Sequence, residues 1–266
     1  MSVLCIDVGN SHTRIAIVNG DGVQRMEKIK TSSISLPGGE IAVILDRFIA
    51  TGEVEGVSYC SVVPGIYPHL FKHLRVFTTR LFNLTHKTCS GLKISYPNPA
   101  EIGQDRLANT MGAQAKYGAP AIVIDMGTAV TLDVLSAEGG YEGGVIAPGL
   151  ALMSHYLHEK TALLPEVDSS DWNSVATIGK STREAISIGC RRGFEGMILA
   201  LVKPVFDELY QRAGVEPHLI SAGGDARFLE THQFNKLIYD EDITLYGLYE
   251  AFRRNAENTE QTGAAL

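Results

Sequence analysis

Apolar residues recur along this chain in two rhythms, and the switches between them mark its elements. Near the N-terminus, runs at 3–8, 13–18 and 23–30 read as three strands. The last two are joined across Asn19-Gly20-Asp21-Gly22, where Asn-Gly and Asp-Gly steps accept the positive φ of a tight hairpin. Ile41, Ile44, Leu45 and Phe48 then fall at helical spacing. A strand is predicted over 56–63, a helix starting at Pro64 with Ile66, Leu70 and Leu74 on one face, and another strand over 75–79. Leu107 to Tyr117 is helix-like. From Ala121 the order begins again: strand, turn and strand through Leu135, a Glu138-Gly139-Gly140 turn, and a strand over 141–147. A helix follows Pro148-Gly149, then a long helix over 182–212, a strand over 218–222, a short helix, a strand over 236–239 and a last helix over 244–254. Residues 255–266 lack periodicity and read as a disordered tail. Hairpins followed by helix-linked strands imply α/β architecture, with mixed sheets carrying helices on their faces.

The restart carries chemistry. Val3-Leu4-Cys5-Ile6-Asp7-Val8-Gly9-Asn10-Ser11-His12-Thr13 and Ala121-Ile122-Val123-Ile124-Asp125-Met126-Gly127-Thr128-Ala129-Val130-Thr131 are the same pattern twice: a buried strand, an acid at its end, then glycine and small polar donors. Superposing Asp7 on Asp125 also matches Ile6 with Ile124, Gly9 with Gly127 and Thr13 with Thr131. One Asp-x-Gly is an ordinary turn preference, but its recurrence before a second apolar run reads as internal duplication. Two such turns, each with a carboxylate, suit the phosphates and metal of a nucleotide held in a cleft between two related domains.

Composition narrows the field further. The chain has 266 residues, enough for one large or two smaller domains, and its 45% apolar and 20% charged residues are ordinary for a soluble globular protein. A formal charge of −7 argues against nucleic acid and anionic membrane as partners, and Lys72, His73, Arg75 and Arg80 read as a solvated basic surface. Apolar runs fall short of the roughly 20 residues of a membrane span, and the first residues lack a basic region with a signal core, so a cytoplasmic location is expected. Cys5, Cys60, Cys89 and Cys190 are scattered with no C-x-x-C pair, so free thiols and no zinc are expected.

The two turns, with Ser221-Ala222-Gly223-Gly224-Asp225-Ala226, resemble the acetate and sugar kinase, heat-shock ATPase and actin superfamily. More narrowly, Tyr96-x-Asn98-Pro99, Gly103-Gln104-Asp105-Arg106, Asp125-x-Gly127-Thr128-Ala129-x-Thr131 and Gly223-Gly224-Asp225-Ala226 resemble the signatures of type III pantothenate kinase, in order from residue 3 to about 252. The resemblance implies two duplicated ribonuclease H-like domains, 1–117 and 118–254, each a mixed five-stranded sheet flanked by helices, with a nucleotide cleft between them. It also implies ATP-dependent phosphorylation of pantothenate at the first step of coenzyme A synthesis, a homodimer, a monovalent cation (potassium or ammonium) and a divalent metal, taken to be magnesium.

Phosphoryl transfer needs phosphate donors, a cation between the oxygens and a group that orients the attacking hydroxyl. By similarity, Asp7, Val8, Gly9, Asn10, Ser11, His12, Thr13 and Arg14 form the first phosphate turn, with Asp7 facing the divalent metal; the competing reading of Asp7 is a turn cap. Ser11 and Arg14 stand where the family commonly has Thr and Lys, and both substitutions keep the chemistry. The resemblance implies that Asp125 helps hold the monovalent cation, Thr128 meets ATP phosphate, and Gly223 and Gly224 leave room for adenine or ribose. Asp105 matches the acid that takes the proton from the primary hydroxyl of pantothenate, although an Asp at a helix start is also a natural cap. Tyr96, Gly103, Gln104, Arg106 and Thr182 match substrate positions, with Arg106 suited to the carboxylate or a carbonyl.

Other features are weaker. Gly179-Lys180-Ser181-Thr182 lacks the upstream glycine of a P-loop. His155 and His158, and His69 and His73, share helical faces but lack a third ligand or an H-E-x-x-H pattern. The apolar segment 182–210 suits either a dimer seam or burial within its domain. Two alternatives stay open: another superfamily phosphotransferase or phosphatase, separated by the acceptor-reading block Tyr96 to Arg106, and a non-catalytic transcriptional accessory factor, against which Asp7, Asp105 and Asp125 together speak.

Overall fold

The computed structural model describes residues 1–35, 40–50, 54–74, 80–168, 172, 176–229, 234 and 236–262. The strand expected over 75–79 lies outside them. The chain forms two compact units: residues 1–119, 138–142 and 242–266 in the first, and residues 120–137 and 143–241 in the second. The sequence division at 117/118 thus differs in two respects, since residues 138–142 and the last helix belong with the first unit.

In the first unit, β1 (Val3–Val8), β2 (His12–Asn19), β3 (Gly22–Lys30), β4 (Gly56–Ser61) and β5 (Leu81–Asn83) form a sheet in the order β3-β2-β1-β4-β5. The hairpin partners run antiparallel to β1 or to one another, and β4 and β5 add in parallel. Apolar residues at alternate positions set the packing. Leu4, Ile6, Val8, Ile15, Ile17, Val57 and Tyr59 pack with Ile41, Ile44, Leu45 and Phe48 of α1 (Glu40–Ile49) and with Leu70 and Leu74 of α2 (Tyr67–Leu74). On the opposite face lies α6 (Ile243–Thr262), whose Leu248 carbonyl accepts the Ser58 hydroxyl at 2.8 Å. Helix α3 (Gln104–Lys116) crosses α6 at backbone contact, because a β-carbon on Gly247 would overlap the Ala108 carbonyl and one on Gly112 would overlap that of Ile243. Only glycine permits that approach.

Residues 255–262 are helical, not a disordered tail, as α6 continues through them. Asn255 explains the difference: its amide donates to Thr88 and Ala251 carbonyls, 2.8 Å each, and its oxygen accepts the Ser90 hydroxyl. Thr88 and Ser90 are distant in sequence, so no local periodicity announces them.

In the second unit, β7 (Ala121–Met126), β8 (Ala129–Leu135), β9 (Gly140–Pro148), β10 (His218–Ala222) and β11 (Leu237–Tyr239) follow the order β9-β8-β7-β10-β11. This is the order of the first sheet repeated strand for strand, which is the duplication in three dimensions. A sixth strand, β6 (Lys93–Ile94), pairs only with Gly140 and Tyr141 at the start of β9, so the expected five strands become six. The core joins Ile122, Ile124, Leu132 and Leu219 with Phe194, Ile198 and Val202 of α5 (Thr182–Ala213) and Leu150 of α4 (Leu150–Glu159). Helix α5 starts at an N-cap, Ser181 accepting the Glu184 amide at 3.2 Å, and stops at Gly214 with φ 71°.

Candidate active site

The first turn shows why its residue types recur. Asp7 and Arg14 face each other across β1 and β2, and Arg14 Nε and Nη2 both donate to Asp7 Oδ2, at 3.2 and 2.8 Å. Gly9 N donates to His12 O at 3.1 Å, leaving Asn10, Ser11 and His12 exposed at the tip. Val8 and Thr13 point inward instead, Val8 into the core. The Thr13 hydroxyl lies 3.0 Å from that of Thr31, which donates to Gly9 O at 2.7 Å. Thr31 thus braces the turn from β3's end, a role that no local pattern revealed. Burial first, then Lys28 and Lys30, hold the His12 imidazole below its usual value, so at neutral pH it is a neutral group among cations.

In the second unit the turn is one residue shorter, and that overturns part of the superposition. Asp125 pairs with Thr131 and Met126 with Val130, where Asp7 pairs with Arg14 and Val8 with Thr13. Thr131 therefore occupies the place of Arg14, not of Thr13. Gly149 and Gly223 close around this turn: β-carbons there would overlap Gly127 O and the Met126 backbone, and Gly223 has φ 84°. The chain thus brings Gly223-Gly224 against the end of β7 beside Asp125, while Thr128 stays exposed.

Asp105 sits in the first turn of α3, where its Oδ1 accepts the Arg106 amide at 2.8 Å. Asp105 is not the N-cap, which is Gly103, but this bond holds its carboxylate against the first turn of the helix. Gln104 Oε1 accepts the Ser61 amide at 2.8 Å, tying α3 to the end of β4. Next to that tie lies Cys60, fully buried, whose thiol donates to Asp7 Oδ1 at 3.5 Å. Burial pushes this thiol well up, and Asp7 and Asp105 push it further while Arg14 opposes them. Both carboxylates thus act on one sulfur, a convergence of β1, β4 and α3 that the sequence did not show.

Arg106 lies over the Tyr141 ring at 5.7 Å, and the Tyr96 ring centroid is 6.3 Å from the same ring. Tyr96 and Arg106 thus meet at Tyr141, distant from both in sequence and expected only as the start of a strand. Gly103 is the N-cap of α3, with room only for hydrogen beside Asp105. Thr182 belongs to the second unit, at the exposed start of α5.

Among the described residues no three metal-ligating side chains cluster. The donor set at Asp7 still fits one divalent ion of the magnesium kind, which keeps most of its waters and takes one or two carboxylates with substrate phosphates. Arg14 Nε and Nη2 both rest on Oδ2, while Oδ1 takes the weak thiol donor of Cys60 among the described residues, so Oδ1 is the oxygen suited to a hard cation.

Comparison with known proteins settles the lineage. The sequence profile of type III pantothenate kinases matches residues 3–204. The chain belongs to the type III pantothenate kinase family. It is 37% identical over 248 residues to the type III pantothenate kinase of Methylacidiphilum infernorum, covering 92% of this chain and 86% of that one. To that of Akkermansia muciniphila it is 38% identical over 249 residues, covering 93% and 97%. Among solved structures, a Campylobacter jejuni protein assigned to the Baf family of transcriptional activators aligns with TM-score 0.59 at 21% identity, covering 96% of this chain and 99% of that one. The activator of 2-hydroxyisocaproyl-CoA dehydratase from Clostridium difficile, solved with ADPNP, aligns with TM-score 0.52 at 15% identity, covering 100% and 98%. At such identities these two likenesses show a shared fold and nothing more.

Proposed function

We propose that this chain transfers the γ-phosphoryl group of ATP to the primary hydroxyl of pantothenate, giving 4′-phosphopantothenate for coenzyme A synthesis. The observation that carries the reading is that Asp105 and Arg106 are neighbours in the first turn of α3, with Arg106 and Tyr96 both set against Tyr141, in a chain of this family. Asp105 takes the hydroxyl proton, Arg106 holds the substrate carboxylate or a carbonyl, and Tyr96 shapes the acceptor pocket. The residues proposed to bind ATP are Gly9, Asn10, Ser11, His12 and Arg14, and Thr128, Gly223 and Gly224. A divalent metal at Asp7 would neutralise charge developing on the phosphate oxygens. Asp125 faces Thr131 where Asp7 faces Arg14, so a mobile monovalent cation, potassium or ammonium, is proposed to supply there the charge that a guanidinium supplies at Asp7.

A homodimer is proposed as well. Helices α4 and α5 flank an apolar groove of about 840 Å³ lined by Leu152, Met153, Tyr156, Leu157, Ala185 and Gly189, with Leu152 41% and Tyr156 61% exposed. A cytoplasmic location agrees with four free, buried cysteines; among the described residues no helix is long and apolar enough to cross a membrane. The deciding experiment is ATP-dependent phosphorylation of pantothenate followed by mass spectrometry, with related primary alcohols as controls. Turnover of pantothenate alone supports the reading, and equal turnover of unrelated alcohols, or ATP hydrolysis without transfer, removes it.

A further inference from the structure

Behind Asp7 runs a chain of buried polar groups that substrate contact does not explain. Arg14 Nη2, besides its bond to Asp7, donates to Thr244 Oγ1 at 2.9 Å, and Thr244 Oγ1 donates to Asn109 Oδ1 at 2.7 Å. The direction of each bond is fixed by chemistry. A guanidinium can only donate, so the Thr244 hydroxyl accepts from it and spends its single hydrogen on Asn109. Thr244 and Asn109 are each 1% exposed, and they stand on α6 and α3 where Gly247 and Gly112 let those helices touch. Burying two polar side chains at a helix crossing is less favourable than packing apolar ones, unless their hydrogen bonds are complete and directed.

The chain ends on one oxygen of one carboxylate. Arg14 Nε and Nη2 rest on Asp7 Oδ2, while Oδ1 takes the Cys60 thiol among the described residues. An arginine on a flexible stem would otherwise sample both oxygens. We propose that Thr244 and Asn109 are positioning residues of the nucleotide site: they lock Arg14 onto Oδ2 of Asp7, so that Oδ1 is presented in one orientation to the metal–ATP complex. Asn109 lies one helical turn beyond Asp105 on α3, so the same relay fixes the helix that carries the candidate base to the strand that carries the metal carboxylate. The inference rests on the reading of Asp7 as a nucleotide-site residue.

The test is calorimetric and uses no acceptor, so it stands apart from whether pantothenate is the substrate. Binding of Mg-ATP and of ATP in EDTA is measured for the wild type, Thr244→Val, which removes the hydroxyl at nearly constant volume, and Thr244→Ser, which retains it. Thr244→Val is expected to weaken Mg-ATP binding about tenfold, the usual scale for groups that orient a ligand to metal, with little change for metal-free ATP. Thr244→Ser is expected to stay within about twofold of the wild type on the same scale. A folded Thr244→Val protein with wild-type Mg-ATP affinity overturns the proposal. So does equal weakening with and without metal, or a Ser variant as weak as Val, since either marks packing and not orientation. Should Thr244→Val not fold, Asn109→Ala carries the same expectation and the same refutation. A wild type that binds Mg-ATP but leaves pantothenate unphosphorylated would remove the substrate assignment and leave this inference standing.

Discussion

Gly103→Ala tests the placement of Asp105 without altering its carboxylate. Gly103 has φ −56° and ψ 137°, a conformation open to alanine, so the backbone is not strained by the change. The new β-carbon, however, would lie 2.5 Å from Asp105 Oδ1, where ordinary contact begins at 3.4 Å. The carboxylate must therefore retreat by about 1 Å, enough to misplace a reacting group and lower turnover on the order of 10²-fold. Stability should barely move. Loss of the Oδ1 bond to the Arg106 amide costs about 1 kcal/mol, and alanine at a compatible position returns about 0.4–1 kcal/mol through the unfolded chain. The assay is steady-state phosphorylation of pantothenate with a thermal melt on the same samples. The expected result is a large fall in kcat, a KM for ATP near the wild type and a melting shift within about 3 °C. Asp105→Asn provides the comparison, with turnover down on the order of 10²- to 10⁴-fold if proton removal limits the rate. A Gly103→Ala enzyme with wild-type kcat would show that the observed seat of Asp105 is not the catalytic one.

Three further outcomes follow from other parts of the fold. Gly247→Ala places a methyl group against the Ala108 carbonyl and must part α3 from α6, so it should destabilise by about 3 kcal/mol and lower the melting temperature by about 6–12 °C; an unchanged melt would mean the helices do not touch there. Glu250 is buried, which raises its pKa, but hydrogen bonds and charge from Arg253 and Arg254 outweigh this and leave it below the usual value of 4.5. A depressed native value gives stability that is complete above the unfolded value and is lost as pH falls through the native one, so the acid limb of a stability–pH profile should lie below pH 4.5 and shrink in Glu250→Gln. Turnover should depend on potassium or ammonium, and equal rates in sodium-only and potassium buffers of matched ionic strength would contradict a cation at Asp125.

Much of this protein can be read from its sequence because the information is local. The two Asp-x-Gly turns, the Asn19 to Gly22 hairpin and the helix start at Pro64 announce themselves through glycine, proline and apolar alternation, which act over a few residues. The motif order was enough to indicate the family before any contact was known. What only the tertiary structure decided depends on partners far apart in the chain: Thr31 bracing Gly9, Tyr141 gathering Tyr96 and Arg106, Cys60 against Asp7, and Asn255 holding α6 as a helix where a tail was expected. The shorter second turn is the clearest case. A match at constant spacing put Thr131 with Thr13, whereas hydrogen bonding across the strands puts it with Arg14, because register is set by turn length and not by sequence offset. Sequence thus determined which chemical groups are present and which turns present them, while packing determined which groups meet, since burial and hydrogen bonding act between neighbours in space.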